Sequence, residues 1–251
     1  QLEVLFLVNC RPLIPTFFST FVSMKKLLLI SFIILTKTLY SQQVKVTRDF
    51  GIWVGAVFEK RIFSDLDLNL EQQIRTFNNT STVDDYLSDL GLKYSINKRF
   101  GLGANIRYIY DVKRGKETEN NFRYNLDIEY KKEIKPKIKL RYRLRYQKEY
   151  INLFSAYFYN PPQKIYSASV RNKVKIMLKY NRMHSVYTSA ELFRLIEIFK
   201  EPYFNKVRFY IGDEINTKIG EFDFSIGFER EIRTDYPYSF VFVKTIYTIK
   251  R

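Results

Sequence analysis

From about residue 50 onward, apolar and polar residues alternate one for one over stretches of about 11–14 residues. A period of two sends successive side chains to opposite faces of an extended strand, so each stretch carries one apolar and one polar face. The pattern is cleanest at Phe122, Tyr124, Leu126, Ile128 and Tyr130 against Arg123, Asn125, Asp127, Glu129 and Lys131. It recurs at Ile138, Leu140, Tyr142, Leu144 and Tyr146 against Lys137, Lys139, Arg141, Arg143 and Arg145. It also governs 66–76 and 100–111, and further strands fit near 50–62, 85–96, 168–181, 185–197, 205–217, 220–232 and 238–249. No stretch after residue 43 carries a helical period. The fold class is all-β and antiparallel.

Such strands suit two architectures of opposite polarity. A water-soluble sandwich or lipocalin-like barrel turns its apolar faces inward. An outer-membrane barrel turns them toward lipid and fills its lumen with polar groups. The strands here exceed the 5–6 residues usual in globular sheets and reach the 9–11 that cross a bilayer. Composition points the same way: the chain has 20 Tyr and 22 Phe, and its outward faces carry aromatic residues near strand ends, as at Tyr94, Tyr108, Tyr110, Tyr130, Tyr146 and Tyr180. Aromatic girdles occupy those positions at membrane interfaces. The expectation is therefore an outer-membrane transmembrane barrel of 10–12 strands. The alternative is a soluble secreted barrel binding an apolar ligand.

The N-terminal region reads as processing information. Met24-Lys25-Lys26, the apolar run Leu27 to Leu35, and a small residue at Ser41 form a secretory signal peptide over 24–41. That run is too short to span a bilayer as a helix; an uncleaved anchor is the competing reading. Residues 1–23 read as an upstream segment outside the natural protein, and 42–251 as the barrel domain. The expected mature end is at or near Gln42.

The net charge of +16 falls only to +13 when Arg11, Lys25, Lys26, Lys37 and Glu3 leave with residues 1–43. Nucleic acid is the usual partner of such a charge, but a secreted chain meets little of it. Expected partners are instead outer-membrane lipid and lipopolysaccharide, the barrel-assembly machinery, and a small anionic solute. The expected location is the outer membrane of a Gram-negative-type envelope.

Connections alternate in length. Short ones fall near 62–65, 97–99, 133–136, 182–184 and 217–220. Longer polar ones fall near 78–84, 112–120, 149–167, 199–204 and 233–237. Short periplasmic turns and longer outer loops are the rule in outer-membrane barrels. Eleven strands emerge from this reading, whereas bacterial barrels of this class have even counts. Twelve is the expected number, with an added strand from Val44-Lys45-Val46-Thr47, and ten is the fallback.

Asp49-Phe50-Gly51-Ile52-Trp53 at the first long strand resembles the opening of an envelope family catalogued as domain of unknown function 2490. Tyr86 to Tyr94 followed by Asn97-Lys98-Arg99-Phe100 is similar to its second hairpin. Arg107-Tyr108 and Tyr142-Arg143-Leu144-Arg145-Tyr146 also fit its style. The resemblance spans roughly 49–251 and implies an outer-membrane barrel. It carries no catalytic residues to transfer.

Chemistry candidates are few. A single Cys, Cys10, excludes a disulfide framework, and a single His excludes a His-rich metal site. A barrel hydrolase pairs a His with an activated Ser on the same strand face. Position 186 is Val, and Ser185, adjacent to His184, points to the opposite face. No catalytic, cofactor or metal site is expected. The polar faces are more informative. Arg141, Arg143 and Arg145 line one strand, and Lys173, Lys175 and Lys179 the next, as a lumen basic patch; Asp127 and Glu129 are the neighbouring lumen acids. A tight turn near Ile134-Lys135-Pro136 sets Asp127 and Glu129 beside Arg141 and Arg143, within a register shift of two. Interlocked charges that fill a small barrel compete with a transverse field across a narrow anion-preferring channel. The aromatic segment 150–166 is a lid, a surface for lipopolysaccharide or protein, or a self-packed loop.

Overall fold

The structure is a computed structural model describing residues 47–112, 118–150, 166–197 and 200–250. The upstream segment 1–23, the signal segment 24–41 and residues 151–165 of the aromatic segment lie outside the described residues.

The described residues form eleven strands: β1 (Thr47–Phe63), β2 (Leu66–Phe77), β3 (Thr82–Ser95), β4 (Phe100–Asp111), β5 (Glu119–Lys135), β6 (Ile138–Tyr150), β7 (Tyr166–Lys179), β8 (His184–Glu197), β9 (Lys200–Asn216), β10 (Glu221–Glu231) and β11 (Tyr238–Lys250). Each pairs antiparallel with its neighbour in sequence, and β1 meets β11 to close the barrel. That closing pair is parallel, in register from Thr47↔Tyr238 to Glu59↔Lys250. The expected twelfth strand is therefore corrected. Thr47 belongs to β1 itself, and the barrel closes on an odd number because parallel strands hydrogen-bond as a ladder too, with evenly spaced slanted bonds.

The polarity is inverted relative to a water-soluble core. Leu90, Ile106, Leu126 and Ile211 are more than half exposed on the outer surface. Asp89, Arg107, Asn125, Arg171, Glu191 and Arg208 are buried inside. Outward aromatic pairs sit toward both ends: Tyr86 with Tyr110 (6.2 Å) and Tyr108 with Phe122 (5.3 Å) toward the long connections, Phe100 with Tyr130 (5.0 Å) and Phe222 with Tyr247 (4.3 Å) toward the short turns. Aliphatic residues fill the band between them. A 12-residue strand rises about 3.3 Å per residue and, tilted by about 40°, covers about 30 Å of height.

The interior is not uniformly polar. Trp53, Met177, Tyr187, Tyr210, Phe240 and Phe242 pack together inside the closing seam. Trp53 on β1 stacks on Phe242 of β11, with ring centroids 3.7 Å apart. Facing glycines make room for these rings. A Cβ at Gly227 would meet the Phe242 ring at 2.2 Å, and one at Gly51 would meet Phe240 at 2.5 Å. Gly227→Ala is expected to lower stability by about 1–3 kcal/mol through overpacking. Gly101→Ala, whose nearest neighbour is the Tyr94 carbonyl oxygen at 3.3 Å, is expected to cost less. Urea unfolding midpoints of the two variants check the difference.

At the rim with the long connections, Asp49 ties the seam to the β2–β3 turn. Its carboxylate accepts hydrogen bonds from the backbone N–H of Asn78 and Asn79 (both 2.8 Å) and from the Tyr238 hydroxyl (2.7 Å). Asn78, Asn79 and Thr80 all have positive φ, which Asn tolerates and a β-branched Thr rarely adopts.

Candidate functional site: the charged lumen

The register of β5, β6 and β7 aligns the inward charges in rows. From the short-turn end inward, the rows are Lys131, Arg141 and Lys175; then Glu129, Arg143 and Lys173; then Asp127, Arg145 and Arg171. The pairing is thus Asp127 opposite Arg145 and Glu129 opposite Arg143, two residues shifted from the nearest alternative set by the turn. The β-bulge between Glu133 and Lys135 fixes that shift.

Asp127 holds Arg145 through two bonds of 2.6 Å, a bidentate fork of the strong kind. Glu129 instead turns to Lys93 on β3 at 2.9 Å. It reaches past β4 because β4 presents only Gly101 and Gly103 opposite Glu129 and Asp127. Lys175 is bonded to Glu214 of β9. Arg141 and Lys179 lie exposed toward the short-turn end, with the Lys179 backbone bonded to Lys137 (2.8 Å). Of the six expected patch residues, Arg143, Arg145, Lys173 and Lys175 therefore occupy the interior, and Arg141 and Lys179 its rim.

The centre of the network is Glu191 on β8, only 1% exposed. Arg171 donates to it at 2.7 and 3.1 Å, Arg143 stands at 3.6 Å and Arg208 at 3.8 Å. Arg208 also donates to Glu229 at 2.6 Å, and Arg107 bonds Asp89 at 2.7 Å with Glu71 at 3.5 Å. Sequence reading singles out Asp127 and Glu129, not Glu191. The role of Glu191 depends on β6, β7 and β9 converging on β8, and alternation on β8 alone carries no sign of that.

Among the described residues, two charged cavities lie inside the wall. The larger, about 720 Å³, is lined by ten basic and six acidic side chains together with Trp53, Tyr210 and Phe240. Arg75 lies over the Trp53 ring at 4.2 Å, and Lys173 over Tyr210 at 4.7 Å. The smaller, about 180 Å³, lies toward the short turns and is lined by six basic side chains and one acid, Glu129. Arg143 and Lys173 line both cavities. They form the partition between them.

His184 opens β8 and bonds Asp213 through Nδ1 at 2.6 Å. Ser185 is buried on the opposite face, so its hydroxyl does not accompany the imidazole. Asp84, Asp85 and Asp111 bring carboxylate oxygens within 4.8 Å of one another, and Arg75 stands 3.8 Å from Asp85. Nothing else in the geometry directs those carboxylates at an ion.

With the geometry in place, the family follows. The family described as protein of unknown function (DUF2490) matches residues 50–234, from β1 to the connection before β11. The chain belongs to this family. No curated protein matches it. The matched region of this DUF2490 protein includes the three rows, Glu191 and both glycines of β4, so the lumen network lies within the family region. The last strand, which supplies Phe240 and Phe242, falls beyond it.

Proposed function

We propose that this DUF2490 protein is an outer-membrane β-barrel whose lumen forms a narrow, anion-preferring path without catalytic machinery. The inverted polarity carries the reading: exposed Leu, Ile and Val between aromatic rims outside, buried ion pairs within. A lipocalin-like cup for an apolar ligand needs the opposite arrangement. The basic excess around both cavities supports anions over cations as the permeating species. Lipid and lipopolysaccharide suit the aromatic rims, and the barrel-assembly machinery is the partner for insertion. The isolated His184–Asp213 pair supports a non-enzymatic role.

Reversal potentials in planar bilayers under a salt gradient test this reading. The expected result is a small conductance that prefers chloride over potassium, with the preference fading as salt screens the lumen charges. A protein that stays monodisperse without detergent, and whose gel mobility is unchanged by heating, would return the soluble cup to first place.

A further inference from the structure

We infer that the smaller cavity is a binding site for one tetrahedral oxyanion of the phosphate or sulfate class. The inference rests on the anion-preferring lumen proposed above and assigns it a specific station.

Three observations converge on it. The first is the row Lys131, Arg141 and Lys175, three cations directly opposite one another across adjacent strands. Like charges so placed repel. Lys131 has Glu129 at 3.6 Å and Lys175 has Glu214, but Arg141 between them has no carboxylate within 4 Å among the described residues. The second is Lys173 in the next row. It faces the Tyr210 ring, again without a carboxylate within 4 Å among the described residues. Its neighbour Arg143 has only Glu191 at 3.6 Å, a carboxylate already shared with Arg171 and Arg208.

The third observation is space. Gly101 and Gly103 on β4 leave the wall without side chains where Lys93 and Glu129 meet. The resulting volume, about 180 Å³, exceeds the roughly 30 Å³ share of a single water several-fold. It is small for an organic solute. Converging guanidinium and ammonium groups with one acid among them match a compact multivalent anion, Arg through planar paired donors and Lys as a point charge.

The mouth is basic as well. Lys131 and Arg141 continue into an outer recess with Lys98, Arg99, Lys132 and Lys139 against one acid, Glu133, which pairs with Lys139. The short turns themselves hold Lys98, Arg99, Lys137, Arg182 and Lys218 against one acid, Asp65. Such a collar raises the local concentration of anions at the entrance. The barrel wall separates the cavity from lipid, so the ligand arrives from the aqueous side.

Isothermal titration calorimetry on the detergent-refolded chain at low ionic strength tests the site with inorganic phosphate, sulfate, chloride and glycerol 3-phosphate. Saturable binding of one phosphate or sulfate per chain, at least tenfold tighter than chloride, is expected. Arg141→Gln and Lys173→Gln should each weaken it about tenfold or more. Arg48→Gln, exposed on β1 at the opposite rim and lining neither cavity, should leave it unchanged. Preference for inorganic phosphate supports the free anion as ligand, and preference for glycerol 3-phosphate supports a phosphate ester at the same site. Absence of saturable binding, or equal weakening by Arg48→Gln, overturns the proposal. Calorimetry reads equilibrium binding whether or not the barrel conducts, so failure here is distinct from failure of the bilayer experiment.

Discussion

Glu191→Gln is expected to destabilise the barrel by about 3–5 kcal/mol, the cost of breaking a buried ion pair from one side. The substitution preserves shape and removes one charge. Arg171 loses its closest carboxylate and Arg143 its one carboxylate within 4 Å among the described residues, while Arg208 keeps Glu229. Guanidinium groups cannot shed their protons to relieve the strain. Urea unfolding in detergent micelles, followed by loss of the compact band on unheated gels, measures the effect. Glu133→Gln is the matched control. Its partner Lys139 is 2.9 Å away, but both side chains are largely solvated, and the expected loss is below about 1 kcal/mol. Equal losses in the two variants would mean that water reaches Glu191 freely and that the network is no tighter than surface charge.

Trp53→Ala is expected to cost about 3 kcal/mol or more, within the range for a buried aromatic truncated to Ala. The indole is 5% exposed, stacked on Phe242, with the guanidinium groups of Arg75 and Arg208 over its ring at 4.2 and 5.1 Å. Its loss leaves a void at the seam and uncovers two guanidinium groups at once. Because Trp53 is the chain's only Trp, the variant has to be followed by circular dichroism or gel mobility. Trp53→Phe should recover most of the loss, since a ring of similar shape can keep the contact with Phe242. No recovery would assign the effect to the greater size of the indole and its cover of the two guanidinium groups, since its buried N–H has no hydrogen-bond partner among the described residues.

Strand positions were legible because the alternation is local: β5 and β6 each declare two faces within a dozen residues, and the observed β5–β6 register falls within the two-residue latitude set by their tight turn. The seam was not legible. β11 carries Tyr238, Phe240 and Phe242 on one face and Val241 and Val243 on the other. Both faces are apolar, so periodicity alone does not say which looks inward. The glycines opposite the rings decide it, and they lie on β1 and β10, far away in sequence or across a turn. The strand count failed for a related reason. An even number follows only if all pairs are antiparallel, and no single strand records the direction of its eventual neighbour. In the lumen, the cations of β6 and β7 were visible as runs, whereas the sharing of Glu191 by Arg143, Arg171 and Arg208 is a property of four strands folded together.

The parallel seam has a kinetic consequence. Ten of the eleven pairings join strands adjacent in the chain, so each can form as a local event. The eleventh brings together groups as distant as Asp49 and Tyr238, 189 residues apart. Loop closure over that span adds an entropic cost that local pairing avoids, and non-local contacts slow folding. β1 must therefore wait, with an open edge, until the last strand arrives. The indole lies on that edge against a ring of the final strand, which makes the chain's intrinsic fluorescence a clock for the moment the cylinder shuts.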